Sequence, residues 1–513
     1  MVDEPLFKAK TGRMARLWSS TLLLGVIAGS LAASACRRGP EGMVPVVVIG
    51  DQRPSLGDPL QPPRTQADAV LRNAIAQGLV RFDSDGQVEP GLAERWNVSD
   101  DGLSYIFRLV NDAWPDGRKI MARDVARILT RQLKADKDLT RDALGAVDEV
   151  VAMTDRVIEI RLRAPRPNLL TLLAQPEFAL IREGAGSGPF SLRDDKEAKE
   201  RKDRSTLLLR RRLPGVDGEE SDREDVALSA MPAAEAIAAF RDGTATIVLG
   251  GTVADLPLAL AARLPRGSLR FDPVAGLFGL APTRTDGPAG DVELRRLLSR
   301  AIDRQALIAR LAVPGLAPRA TLLQGGLAGL AVPPQPAWLT QPMTERRAAL
   351  IAAARDIRGT DADQEPTRIG VDLPDGPGGD IILMQLNSDW GPLGFAVERA
   401  AGQKADFRWV DSVAPSDSPA WFLRQFRCSV ATICDPEADQ LLASARQAPI
   451  AVQRAGLFAE AARLMDEARL FLPVAAPIRW SLAARGTPAF TENRYARHPL
   501  VGLSGRASPG ANQ

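Results

Sequence analysis

Residues 78–109 read GLVRFDSDGQVEPGLAERWNVSDDGLSYIFRL. Asp85-Gly86 sits between two short β-rich runs, and a second pair, Asp101-Gly102, leads into alternating Tyr105, Phe107 and Leu109. Asp-Gly favours tight hairpin turns because both positions accept a left-handed backbone. Period-two alternation then buries one face of the strand that follows. The stretch therefore predicts strand, turn, strand, a short helix ending near Trp96, and a second hairpin.

Outward from this segment, strands and helices alternate. On the N-terminal side, MVPVVV (43–48) predicts an opening strand. A proline-punctuated loop and a helix over Ala67–Leu79 follow it. On the C-terminal side, Trp114-Pro115-Asp116-Gly117 predicts a turn and structural corner, with an amphipathic helix beginning near Ala122. Val151–Leu162 reads as another hairpin, and PRPNLLTLLAQPEFAL (165–180) as a proline-started helix. The charge-crowded region Asp194–Asp225 reads as strands with solvated edges around a loop. A helix over Ala233–Arg241 precedes the strand TIVLG, and FDPVAGLFGLAP (271–282) is a strand crossing to another unit. VELRRLLSRAIDRQALIARL (292–311) predicts one long amphipathic helix, within which Asp303 and Arg304 cap or pair internally. Further helices are predicted over Thr344–Arg358, Ile381–Leu393 and Pro449–Arg469, with strands TRIGVDL, AVERA and DFRWV between them. The alternation argues an α/β chain, with an α+β portion supplied by the early hairpins.

The first 36 residues carry an address. Lys8, Lys10, Arg13 and Arg16 precede the apolar run LLLGVIAG, then small residues and Cys36. That order is a secretory leader over residues 1–35, with an apolar run too short to span a bilayer. Small residues directly before Cys36 match a bacterial lipobox, except that Ala33 stands where leucine is usual. Ala33-Ser34-Ala35 also reads as an ordinary cleavage site. The expected location is the periplasm or cell envelope, either lipid-anchored at Cys36 or simply secreted.

Of the 65 basic and 63 acidic residues, the leader carries four and two, so the remainder is balanced. A balanced chain lacks the basic face that nucleic acid requires. Lipidation of Cys36 would leave Cys428 and Cys434, six residues apart, either as a disulfide in an oxidising compartment or as two buried thiols. No metal or cofactor is expected, since the single histidine, His498, lies far from both sulfurs in sequence.

Six segments, in order, resemble the bacterial extracellular solute-binding proteins of family 5, which serve peptide ABC importers. They are Gly78–Leu109, WPDG with its helix through Asp124-Val125, SGPFSL (187–192), DVELRRLLSRAIDRQALI (291–308), WGPLGFAVE (390–398) and 435–477. The resemblance implies a type II periplasmic-binding-protein-like fold of the large peptide-receptor subgroup. Two lobes would close over a cleft, with an extra α+β subdomain on the first. It places 36–80, 185–272 and 485–513 in the first lobe, 81–184 in the extra subdomain and 273–484 in the second lobe. It also implies a small-molecule or peptide ligand, an inner-membrane ABC permease as partner, a monomer, and no catalysis by this chain.

Peptide receptors of this kind place an aspartate in a pattern like W-x-x-D-Y-x-D-P, where it meets the ligand's ammonium group. A buried ammonium needs a carboxylate because desolvation otherwise costs several kcal/mol. The corresponding stretch, FRWVDSVAPSDSP (407–419), offers Asp411 or Asp417, or neither, since both also suit turn capping. Trp409, Trp421 and Phe278 are the candidate aromatic walls, or else core residues.

Two other readings compete. An exported hydrolase would need a triad around His498, but no G-x-S-x-G elbow precedes it. Gly184–Gly188 lacks the Lys-Ser/Thr of a phosphate loop and runs into a strand. A receptor-like envelope lipoprotein without transport, serving as scaffold or sensor, is consistent with the degenerate aspartate pattern.

Overall fold

The computed structural model describes residues 42–135, 145–193, 205–213, 223–359, 365–448 and 450–505. The leader and Cys36 lie outside the described residues.

The opening strand Met43–Ile49 buries Val46, Val47 and Val48 on both faces, as an inner strand should. It runs parallel to Ile247–Gly251 within a seven-stranded sheet. That sheet also holds Ser191–Leu192, Leu207–Arg212, Arg223–Met231, Trp480–Ala483 and Leu269–Phe271. A five-stranded sheet is ordered Phe395–Arg399, Thr367–Asp372, Phe407–Val413, Gly276–Pro282 and Leu472–Pro473. Its first three strands are parallel, and Gly276–Pro282 pairs antiparallel to both of its neighbours. One apolar cluster runs between the two sheets, from Val47, Val248 and Leu482 to Phe278, Leu280 and Val371.

The early hairpins form their own piece. Ala93–Val98, Ser104–Leu109, Val157–Leu162 and Val147–Thr154 make a four-stranded antiparallel sheet. Helix Ala122–Ala135 packs on it through Val125, Ile128 and Leu129. Trp114 is a buried corner of this core, 3% exposed.

Three local expectations are corrected. The segment ending at Trp96 is a strand rather than a helix. Its Glu94, Arg95, Asn97 and Val98 are exposed, which imitates a helix's polar face, but pairing with Ser104–Leu109 decides the conformation. The long helix is two, Val292–Ala301 and Arg304–Leu311. Ile302 is extended, and Asp303 accepts the Ala306 N–H at 3.0 Å to start the second helix afresh. In the charge-crowded region, Glu224 is fully buried rather than solvated. It pairs with Arg211 at 3.3 Å and accepts the Gly502 and Ser504 N–H groups at 3.2 and 3.1 Å.

Cys428 and Cys434 are joined by a disulfide, Cα atoms 5.0 Å apart, between helices Pro419–Arg424 and Pro436–Gln447. Closing so short a loop removes little chain entropy, so C428S/C434S should cost about 2 kcal/mol in urea denaturation. A loss above about 4 kcal/mol would contradict this loop-entropy account.

Asp466, near the end of helix Ala451–Glu467, accepts the Leu322 N–H at 2.9 Å. Burial pushes its carboxyl up to about 7, against the pull of Arg469 and Arg319. Asp389, pushed up to about 6 by burial, behaves likewise. A raised carboxyl is protonated in the folded state while the unfolded chain has already released its proton. Its stabilising contribution is therefore complete below about pH 4 and lost as pH rises toward 7. Asp466→Asn should remove most of that slope, on the order of 2–4 kcal/mol between pH 4 and 7.5. Denaturation midpoints across that range check it, and an unchanged slope would assign the pH dependence elsewhere.

Candidate functional site

A cavity of about 550 Å³ opens where the two large sheets and the hairpin piece meet. The seven-stranded sheet contributes Gly250, Gly251, Thr252, Trp480 and Ser481. Gly251 is dictated by close approach: a Cβ there would lie 2.1 Å from the Trp480 indole. That indole donates from Nε1 to the Thr252 carbonyl at 2.8 Å. The hairpin piece contributes Gln175, Glu177 and Phe178 from the turn Pro176–Phe178 and the residue before it. From the five-stranded side come Ser412–Pro415, Trp421, Arg424 and Gln425.

The C-terminal tail closes the wall with Tyr495, Ala496, Arg497 and His498. Asn493 organises it. Its Oδ1 accepts the Tyr495 and Arg497 N–H groups, both at 3.2 Å, and its Nδ2 donates to the Arg497 carbonyl at 2.8 Å. Ala496 is held at φ 51°, a left-handed conformation that costs a residue with a Cβ roughly 1–2 kcal/mol. Tyr495 stacks on Phe82, centroids 4.9 Å apart.

Hydrogen bonds cross the cleft beside the cavity. Gln175 Nε2 donates to the Pro415 carbonyl at 2.8 Å, and Asn168 Nδ2 to Ser416 Oγ at 3.0 Å. Two connections join the sheets, Asp272–Ala275 and Val474–Arg479. They are tied together by the Asp272 N–H donating to the Arg479 carbonyl at 3.0 Å.

Most charged groups around the cavity are committed. Asp272 accepts from the Asn493 N–H at 2.9 Å and lies 3.2 Å from His498 Nε2. The His498 ring stacks on Phe490, centroids 4.7 Å apart. Arg479 pairs with Asp411 at 2.7 Å and donates to the Asp411 and Ile478 carbonyls. Burial pushes the Asp411 carboxyl up, and Arg479 pulls it back. Burial lowers the Arg497 guanidinium, while the Glu177 charge favours its protonated form.

Of the five ligand-contact candidates read from the sequence, Trp421 lines the cavity, packed edge-to-face on Phe422. Phe278 and Trp409 pack edge-to-face with centroids 4.9 Å apart and do not line the cavity, Phe278 being fully buried. Asp411 faces Arg479, and neither it nor Asp417 is among the lining residues. Setting the pattern's terminal proline at Pro419 puts its aspartate position at Pro415. Setting it at Pro415 gives Asp411. Glu177, Asp272, Trp480 and Arg497 were not found from sequence. Glu177 read as part of a helix and Arg497 as a tail residue. Neither carries a motif, and they lie 320 positions apart.

The profile described as "Bacterial extracellular solute-binding proteins, family 5 Middle" matches residues 87–409. The probable di/tripeptide-binding protein 5 of Pseudomonas aeruginosa is 25% identical, over 94% of this chain and 97% of that one. The dipeptide-binding protein DppE of Bacillus subtilis is 28% identical over 156 residues, 24% of this chain and 29% of that protein's length. Among solved structures, Haemophilus influenzae OppA in complex with RPPGFSPFR superposes with a TM-score of 0.73 at 15% identity. It covers 90% of this chain and 98% of that one. The Escherichia coli murein tripeptide binding protein MppA also gives 0.73, at 19% identity, with the same coverage. Its unliganded open form gives 0.61, covering 87% of this chain and 94% of that one. These structures share the two-lobed α/β architecture and span nearly all of it. With a profile match extending over more than half its length, the chain belongs to the bacterial extracellular solute-binding proteins of family 5.

Proposed function

We propose that this protein is the receptor of an ABC importer, capturing a small peptide-like solute in the 550 Å³ cavity and delivering it to an inner-membrane permease. The observation that carries the reading is a cavity walled from both sheets and spanned at its edge by Gln175–Pro415 and Asn168–Ser416. Its volume lies in the usual range for small-ligand sites. A ligand touching both walls stabilises the closed arrangement by the contacts it makes only there, and closure is a hinge motion about the two connecting segments. The lower TM-score against the open MppA form is consistent with a closed cleft.

Within this reading the first lobe takes 44–80, 185–272 and the tail from Trp480. The extra subdomain takes 81–184 and the second lobe 273–479. Placing the return at Trp480, rather than at 485, rests on Trp480–Ala483 pairing with Ile247–Gly251 and Leu269–Phe271. The receptor acts as a monomer, held outside the cytoplasmic membrane by a lipid on Cys36. No helix among the described residues is long and apolar enough to cross a membrane. Catalysis is left to other subunits. Trp421 serves as a cavity wall, and Asp411 acts through Arg479, which it positions.

Native mass spectrometry of the protein purified from its own envelope, followed by thermal shift with the recovered solute, tests the reading. A one-to-one complex and stabilisation of about 2.7 kcal/mol at a hundredfold excess over Kd are expected. A protein that carries no solute, and is not stabilised by di- and tripeptide mixtures, would favour the non-transporting envelope lipoprotein instead.

A further inference from the structure

Resting on the receptor reading, one acidic side chain at the cavity is uncommitted. Asp272 is held by Asn493 and His498, and Asp411 by Arg479. Glu177 lines the cavity with no hydrogen bond or ion pair within 4 Å to any described residue. Its charge favours the protonated forms of Arg72 and Arg497. Arg72 is occupied by the carbonyls of Leu56, Asp58 and Gln61. The Arg497 guanidinium makes one long hydrogen bond among the described residues, 3.4 Å to Gln66 Oε1.

A carboxylate in a partly desolvated cleft without a partner favours a cationic donor from a ligand, because charge-assisted hydrogen bonds strengthen where water is excluded. In one register of the aspartate pattern the second-lobe position is Pro415, whose carbonyl is already taken by Gln175, and in the other it is Asp411, which is held by Arg479. Arginines line the same cavity, so a purely cationic ligand would meet repulsion that a second, negative group on the ligand would relieve. We propose that Glu177, on the extra subdomain, anchors the ammonium group of a zwitterionic solute whose negative group faces Arg497.

The test is titration of wild type and Glu177→Gln with three probes: a mixture of unmodified dipeptides, the same mixture N-acetylated, and the same mixture C-amidated. Loss of one charge-assisted contact should weaken apparent affinity roughly 10- to 100-fold. That loss is expected for unmodified dipeptides on Glu177→Gln, and for acetylated or amidated dipeptides on wild type. Acetylated dipeptides should bind the two proteins alike. Undiminished binding of unmodified dipeptides by Glu177→Gln, or equal affinity for acetylated ones in wild type, overturns the anchor and leaves the receptor reading standing. So does a loss confined to Asp417→Asn. Equal affinity for amidated dipeptides overturns the zwitterion requirement. If no dipeptide binds and the native solute lacks a cationic nitrogen, the anchor falls while the receptor reading survives. If no solute exists at all, both fall.

Discussion

Arg304→Met is expected to lower the unfolding free energy by about 4 kcal/mol. Arg304 is 2% exposed at the start of helix Arg304–Leu311, and its guanidinium joins three separate segments. Nε donates to the carbonyls of Arg319 and Pro473, at 2.9 and 2.7 Å, and Nη1 to that of Ser299 at 2.8 Å. Burial lowers its pKa to about 9, a sign of how much the desolvated charge costs. Methionine removes that charge and keeps much of the volume, but strands the buried carbonyls at roughly 1–3 kcal/mol each. Lysine retains the charge on a compact ammonium that cannot reach three segments at once, so Arg304→Lys should fall between. Urea denaturation of ligand-free protein measures both. A methionine variant within about 1 kcal/mol of wild type would show that the carbonyls find other partners.

Arg479→Met should cost about 3 kcal/mol at neutral pH and also weaken solute capture, because Arg479 holds the connection between the sheets to strand Phe407–Val413. Both side chains are under a fifth exposed, 18% and 15%, so removing the cation leaves the Asp411 carboxylate buried without its partner. In the variant the folded-state carboxyl rises further above its unfolded value. Its contribution is then intact below about pH 4 and lost as pH increases, so the deficit against wild type should grow from acid to neutral pH. Asp411→Asn should be milder, since Arg479 keeps the carbonyls of Ile478 and Asp411 as acceptors. Denaturation at pH 4.5 and 7.5 distinguishes these outcomes. A deficit independent of pH would mean that Asp411 is not the group left unpaired.

The elements legible in the sequence were those encoded over a few residues. The two Asp-Gly turns, the helix beginning at Ala122 and the helix Ala233–Arg241 all lie where the local pattern put them. The order of six such segments carries the resemblance to the family that the profile match over 87–409 shows. Local pattern misled where a non-local contact outweighed it. Ala93–Val98 is a strand because Ser104–Leu109 pairs with it, and Glu224 is buried because the distant Gly502 and Ser504 amides cap it.

The site was much less legible. The stretch 407–419 offers Asp411 or Asp417, or neither; the Asp411 carboxylate is consumed by Arg479, a residue 68 positions away, and Asp417 does not line the cavity. Which carboxylates remain uncommitted depends on partners that a short window does not contain.

Neighbouring side chains and backbone preferences set the turn positions and most of the strand–helix alternation, composition gave the charge balance, and the order of six segments carried the resemblance to the family. Only the tertiary structure decided the cavity's chemistry. Chain segments hundreds of residues apart set which groups are desolvated, and hydrogen-bond geometry within about 3 Å sets which of them are already satisfied. That is why Glu177, unremarked in the sequence, stands open to the cleft, while the better-matched aspartates do not line it.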